Sequence, residues 1–432
     1  MAKEPPGRRC PKPADALPAP KTVLPGGSPG IDTAGVLVLT SSFPHGGNPV
    51  NGIFVRDFAS SVCGRVRTVV LCPRFPGPPP AEDAGFRICC FSQVCPPGFP
   101  LAGNPGGILP ALKKHPFLWA FLPFFLLSEL TALIRTVRRE NITVIHAHWL
   151  VPQGFVAAVY KRFVNPCVRL LITCHGSDIN KAGGGLLNLL KRFSLGQADR
   201  VVAVSADLAE KVRALRPGTS CAVRAMGIDT TLFSPAAAEE RPTLSEEFRL
   251  RSAPVLFVGS LIELKGVREL VAAWRIVLDR RPDAELLIVG GGGLRTELET
   301  TARELKVDAR VHFAGPVAHE KLPRYFAQSA AFILPSHSEG FGLVVGEALS
   351  CETPVIVSKI PVFEAMPGAE GLFTFCTPRD PQSIADAVIR VLGDPARCKC
   401  GRQYVREHLS LQQTADWYLA LYSGENAGED CP

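Results

Sequence analysis

Two glutamates, Glu339 and Glu347, stand with seven residues between them in EGFGLVVGE, a stretch that also supplies Gly340, Phe341, Gly342 and Leu343. The apolar run AAFILPS ahead of it reads as a strand and LVVGEALS as a short helix, so Glu339 falls in a Gly-rich loop and Glu347 about two helical turns on. Glycines let a backbone approach a ligand closely, and amides at a helix start have no intrahelical acceptor. A carboxylate accepts hydrogen bonds from neighbouring hydroxyls, as on a ribose or a sugar ring. Taken one at a time, these glutamates read as a helix cap and a solvated surface residue. Together with Phe341 and the glycines at a strand-to-helix junction, they read as a site for a hydroxyl-rich ligand.

Other segments carry weaker signals. VGSLIELKGV holds Gly259, Ser260 and Lys265, and a Lys-Gly before a helix reads either as an exposed turn or as an ammonium placed for an anion. SSFPHGGNPVNGIFVRDF supplies Gly46, Gly47 and Gly52 after the first strand, a candidate acceptor or phosphate loop of a kind common in α/β domains. Gly290 to Gly293 reads as a tight strand-to-helix turn. In TCHGSDI, Asp178 reads as a helix cap, and His175 either as a turn histidine bonded to backbone or as a site residue. The fourteen cysteines show no C-x-x-C spacing, and Cys72 and Cys174 sit in apolar runs as small hydrophobes, so a reducing cytoplasm is expected. No strand-end Asp-x-Asp is present, and neither metal nor cofactor is expected.

These loops need elements to hold them. From Gly35 onward, short β-branched runs such as GVLVLTS, TVIHAHW and PVLFVGS alternate with helix-length amphipathic stretches, the pattern of βαβ units in parallel sheets covered on both faces. The expected fold is α/β, with two Rossmann-like doubly wound parallel-sheet domains facing a cleft. The expected boundaries are a disordered Pro-rich tail over 1–33, an amino-terminal acceptor-side domain over 34–226, and a carboxy-terminal nucleotide-sugar-binding domain over 227–409. A terminal helix over 410–424 is expected to pack back on the first domain. The tail, with eight prolines in its first thirty residues, lacks the apolar run of a signal peptide.

A net charge of +7 is a mild excess that singles out no partner, and nucleic acid is not expected. The run from Pro116 to Leu127 is too short to span a bilayer, and Pro123 interrupts it. With Lys113, Lys114, Arg135, Arg138 and Arg139 around it, it reads either as a core or partner-covered helix or as a wedge on the inner face of a membrane.

The pair Glu339 and Glu347 resembles the E-x7-E signature of retaining GT-B glycosyltransferases of family 4. VGSLIELKGV looks like that family's donor-phosphate loop, HAHWLVPQG and TCHGSDI like its amino-domain motifs, and GIDTTLFSP like its interdomain linker. The resemblance runs from about Val36 to Tyr422. It implies the GT-B fold and transfer of a hexosyl group, with retention and without a metal, from a UDP- or GDP-sugar to a glycan or lipid-linked acceptor in cell-envelope synthesis. It also implies that Lys265 binds the donor pyrophosphate, Glu347 the ribose and Glu339 the sugar, with amides of Phe341, Gly342 and Leu343 on sugar or phosphate oxygens. His175 would lie near the reacting centre. The sequence departs from the family at Ser260, where many members have arginine, at Glu352, where glycine is frequent, and at Ile360–Pro361 in place of Gly-Gly. The alternatives are a nucleotide-sugar epimerase on the same fold, or a catalytically weak subunit that recruits a partner enzyme to a membrane.

Overall fold

The computed structural model describes residues 35–46, 48, 50–75, 85–96, 98–103, 108–179, 184–394 and 400–425. The Pro-rich tail and Gly47 lie outside the described residues.

Two parallel sheets form the framework. The first contains β1 (Gly35–Leu39), β2 (Arg67–Pro73), β3 (Arg87–Phe91), β4 (Ile142–His148), β5 (Arg169–Cys174), β6 (Arg200–Ala203) and β7 (Cys221–Val223), in the order β3-β2-β1-β4-β5-β6-β7. The second contains β8 (Val255–Val258), β9 (Leu286–Val289), β10 (Val311–Gly315), β11 (Ala331–Leu334), β12 (Val355–Ser358) and β13 (Phe373–Cys376), in the order β10-β9-β8-β11-β12-β13. Their central strands are apolar because helices cover both faces, so Val36 to Leu39 and Phe332 to Leu334 are buried. In each sheet the order reverses beside the first strand, between β1 and β4 and between β8 and β11. Loops at the carboxyl ends of those strands splay apart there and leave a crevice.

The helix Val267–Arg280 shows how the second sheet is covered. Val267, Leu270, Val271, Trp274 and Val277 recur at helical spacing, and all are buried. Each such side chain stabilises by roughly 1.5–3 kcal/mol relative to exposure. The helix starts at Gly266, whose φ of 65° is left-handed, and stops at Arg281 before Pro282, which disfavours a helical predecessor. Its start is thereby held directly after Lys265.

Two cores result, one including Val36 through Met226 together with Ala415, Tyr418 and Tyr422, the other running from Ala225 to Leu409. The chain crosses between them twice, side by side: Ile228 N–H donates to the Leu409 carbonyl at 2.6 Å and Leu411 N–H to the Ile228 carbonyl at 3.0 Å. Arg402 clamps this crossing by donating to the carbonyls of Thr230, Phe233 and Ser350. The terminal helix Leu411–Ser423 then lies along the helix Ile53–Cys63 and ends at Gly424, φ 98°. Arg65, in the turn just after Ile53–Cys63, pairs with Asp416 of the terminal helix. Glu352 takes a φ of 59°, so a residue with a Cβ adopts the conformation that glycine tolerates best.

The run Pro116–Leu127 forms a 3-10 turn, Pro116–Ala120, and the first turns of the helix Leu122–Arg139. Leu118 and Phe125 are buried, whereas Phe117, Trp119, Phe124 and Leu127 are each about half exposed or more. The basic collar is one-sided. Lys113 and Lys114 adjoin the patch, but Arg138 and Arg139 lie at the far end of the helix, roughly 16–18 Å from Leu127 at 1.5 Å per residue. No helix among the described residues is long and apolar enough to cross a membrane.

Candidate active site

The crevices of the two sheets face each other. The loop after β11 and the loop after β8 meet at Lys265, whose Nζ donates to Glu339 Oε1 at 2.6 Å. Ser336 Oγ donates to the same oxygen at 2.7 Å, and only 9% of the Glu339 side chain is exposed. The close approach depends on Gly266, because a Cβ there would lie 2.0 Å from the Pro335 carbonyl oxygen. His337 N–H donates to the Leu264 carbonyl and ties the two loops further. The glycines at 290 and 292 serve the same packing: a Cβ on Gly290 would meet the Gly259 oxygen at 1.9 Å, and one on Gly292 the Leu261 oxygen at 2.4 Å. The turn expected over Gly290 to Gly293 is thus a buttress for the loop of Gly259 and Ser260. Ser260 itself is exposed.

Gly342, φ 82°, opens the helix Leu343–Ser350 and positions the amides that follow it. Phe341 and Leu343 each pack against both cores, at the seam between the domains. Gly340 reaches furthest across, since a Cβ on it would lie 2.1 Å from the His175 carbonyl oxygen. Glu347 lies five residues into the helix and is buried, with Oε1 2.9 Å from His319 Nε2.

On the first-domain side, Asp178 organises the loop after β5. It is buried and accepts from the amides of Leu150, His175 and Gly176 at 2.7, 3.2 and 2.9 Å, which joins the loops after β4 and β5. It thus holds the amides of its own loop and the first amide of the helical turn Leu150–Gly154. The His175 ring stacks on His148 and is flanked by Phe54 and Trp149, and the two imidazoles share a 2.9 Å bond between His148 Nδ1 and His175 Nε2. His175 is half-buried, and burial of its imidazole among these rings draws its pKa down to about 3. Behind it, burial and the neighbouring His175 bring His146 to about 3, and burial with His146 and His175 lowers His148 as well. His146 Nδ1 meets Tyr422 Oη at 2.7 Å, His146 Nε2 meets Thr173 Oγ1 at 2.8 Å, and Thr173 Oγ1 meets Tyr418 Oη at 2.9 Å. The terminal helix therefore closes the back of the first-domain half of the site.

Gly52 has a φ of 64°, and a Cβ on it would lie 2.2 Å from the Ser42 carbonyl oxygen, so this glycine is required by its own loop. Gly46 is exposed in the same loop. Of the residues singled out in the sequence, Lys265, Glu339, Gly340 and His175 converge at the cleft. Sequence reasoning did not single out Ser336, His148, Trp149 or the cluster of Arg56, Asp57, His319 and Glu320. Arg56 and Asp57 lay within the Gly-rich segment after β1, and His148 and Trp149 within HAHWLVPQG, but His319 carried no motif.

Two facing Rossmann-like sheets, with a Lys–Glu pair and a Gly-rich helix start at the cleft, define the class: a glycosyltransferase of the GT-B type. The chain matches the family model Glycosyltransferase Family 4 over residues 52–232 and the model Glycosyl transferases group 1 over residues 244–408. It is 32% identical to glycogen synthase of Mycobacterium tuberculosis over 67% of this chain and 72% of that protein. It is 25% identical to N-acetyl-alpha-D-glucosaminyl L-malate synthase of Bacillus anthracis over 70% of this chain and 82% of that protein. Its fold matches sucrose-phosphate synthase of Thermosynechococcus elongatus with a TM-score of 0.73 at 24% identity, covering 90% of this chain and 98% of that one. The chain belongs to glycosyltransferase family 4, and it is an enzyme of that kind.

Proposed function

We propose that the chain moves a hexosyl group, with retention at the anomeric carbon, from a UDP- or GDP-sugar to a glycan or lipid-linked acceptor in cell-envelope synthesis. The observation that carries this reading is the Lys265–Glu339 pair at the strand reversal of the second sheet, facing His175 across the cleft. Lys265 supplies a mobile ammonium for the donor diphosphate, whose negative charge grows as it departs. Glu339 takes sugar hydroxyls, and the amides at the Leu343–Ser350 helix start take sugar or phosphate oxygens. Donor binding then replaces the Lys265–Glu339 ion pair with contacts from each partner to the ligand.

With a pKa near 3, His175 is a poor proton acceptor at neutral pH. This favours a mechanism in which a donor phosphate oxygen takes the acceptor's proton, while His175 shapes the cleft and offers hydrogen bonds. Charge on the leaving group is then met by Lys265 and amides, so chelator should leave turnover unchanged. The half-exposed Phe117, Trp119, Phe124 and Leu127 beside Lys113 and Lys114 support work at an anionic membrane surface, on the cytoplasmic side.

The test begins with thermal shift against a panel of UDP- and GDP-sugars, since a ligand that binds only the native state raises the midpoint. The stabilising donor should release nucleoside diphosphate when acceptor is added, with product of the donor's own anomeric configuration by NMR. Lys265→Ala and Glu339→Ala should each lower this rate by about 10²-fold or more. Conversion of the sugar without diphosphate release would establish an epimerase instead. Wild-type rates in both variants would remove the transfer reading. For the membrane, Trp119→Ser with Phe124→Ser should reduce co-sedimentation with anionic vesicles, and unchanged sedimentation would refute that contact.

A further inference from the structure

His319 lies between the two domains with a carboxylate on either side. Its Nε2 is 2.9 Å from Glu347 Oε1 on the helix Leu343–Ser350. Its Nδ1 faces Asp57 Oδ2 at 3.7 Å, and Asp57 belongs to the first-domain helix Ile53–Cys63. A second contact crosses the cleft alongside, where Arg56 Nη2 donates to Glu320 Oε1 at 3.1 Å. The imidazole is buried, and the ring of Phe233 lies edge-on against it at 5.1 Å. Glu347 bonds the imidazole and fixes its ring, as second partners orient metal-bound histidines, whereas Asp57 faces the other nitrogen beyond hydrogen-bond reach and acts on it as a charge. One of those carboxylates belongs to the first domain and the other to the second.

Building on the donor-site reading above, we propose that His319 is a positioning residue for the donor ribose. It orients Glu347 toward the ribose hydroxyls when Asp57 stands behind it, so that ribose recognition is completed by domain closure. A carboxylate has two oxygens and about four acceptor positions, so a bond from His319 to Oε1 steers the group and leaves capacity for two hydroxyls. When the cleft opens, Asp57 and Arg56 leave with their helix, and His319 loses its second support. Burial works to lower the His319 pKa, but the bond and charge of Glu347, with Asp57 and Glu320, outweigh it and raise the pKa. Burial raises that of Asp57, opposed by His319 and Arg56. The cation is therefore favoured between the two carboxylates.

The experiment measures affinity of the full chain for UDP and GDP and for their 2′-deoxy counterparts by calorimetry. For the nucleotide that binds, wild type should lose about 10-fold or more when the 2′-hydroxyl is missing, as expected for a hydrogen bond to a charged group. Glu347→Ala should erase that difference. His319→Ala should shrink it below about threefold, His319→Gln should restore it because its amide still donates to Glu347, and Asp57→Ala should shrink it partway. A purely structural role for His319 would weaken both nucleotides equally and leave their ratio intact. A full ratio in His319→Ala, or in Asp57→Ala, would overturn the inference while an erased ratio in Glu347→Ala upholds the ribose site. A full ratio in Glu347→Ala would overturn the ribose site itself. If His319→Ala does not fold, His319→Gln and Asp57→Ala decide the matter by the same ratios.

Discussion

Replacing Gly340 with alanine is a perturbation of the cleft alone. The backbone of Gly340 lies outside the left-handed region, so a Cβ brings no φ strain, and alanine costs the unfolded chain some of its freedom. Stability should therefore stay within about 1 kcal/mol of wild type. The same Cβ would sit 2.1 Å from the His175 carbonyl oxygen. Close carbon–oxygen contacts run at about 3.3 Å, so the domains must part by about 1.2 Å at this point. A displacement near 1 Å at a reacting centre is worth about 10²-fold in rate. Expressed as lost transition-state stabilisation, that is about 2.7 kcal/mol. The assay is kcat/KM for diphosphate release with the donor found by thermal shift, beside the urea midpoint of the same preparation. A fall near 10²-fold at an unchanged midpoint supports the view that the observed approach of Gly340 to His175 belongs to the reacting state. Wild-type kcat/KM in Gly340→Ala would refute it, and a collapsed midpoint would show the contact to be part of the fold rather than of closure.

Other perturbations separate fold from site. Gly266→Ala, with φ at 65° and a Cβ 2.0 Å from the Pro335 oxygen, should lower stability by more than about 1 kcal/mol in urea unfolding, in contrast to Gly340→Ala. Tyr422→Phe removes the partner of buried His146 Nδ1 and should cost about 1–3 kcal/mol by the same measurement. Glu352→Gly relieves a left-handed residue and should raise stability by up to about 1 kcal/mol. Acid should destabilise the native chain through its histidines. His146 and His175 have folded pKa values of about 3, below the unfolded value near 6.5. The unfolded chain therefore binds protons that the folded chain refuses, and stability falls as pH drops from about 6.5 toward 3. At pH 5 the loss is about 2 kcal/mol per histidine, so midpoints equal at pH 7 and pH 5 would contradict the burial of both.

Local features were legible in the sequence wherever a short-range pattern determines them. Continuous β-branched runs separated by amphipathic stretches specify strands covered on both faces, because each such run must bury two surfaces, and Val36–Leu39 and Phe332–Leu334 do so. Glycines at strand ends were visible as loops, and Gly52, Gly266 and Gly342 take the left-handed backbone that only glycine adopts without strain. The placement of Lys265 and Glu339 at adjacent strand ends follows from the order of the second sheet once it is known to reverse between β8 and β11. That Lys265 and Glu339 pair directly, 74 residues apart in the chain, was not legible, because nothing local in either segment refers to the other.

The same limit applies more strongly across the cleft. Asp57 comes from the first domain and His319 and Glu347 from two segments of the second, and the meeting of Asp57 with His319 depends on how the two sheets dock. The buried chain of Tyr422, His146, Thr173 and Tyr418 likewise arises only when the terminal helix returns to the first domain. Sequence by itself thus determined the family, the two sheets and the loops that carry chemistry, since periodicity and turn residues act over a few positions. Tertiary structure alone decided which charged groups face one another and which histidines stay neutral, because those properties depend on distance and solvent exclusion between segments far apart in the chain.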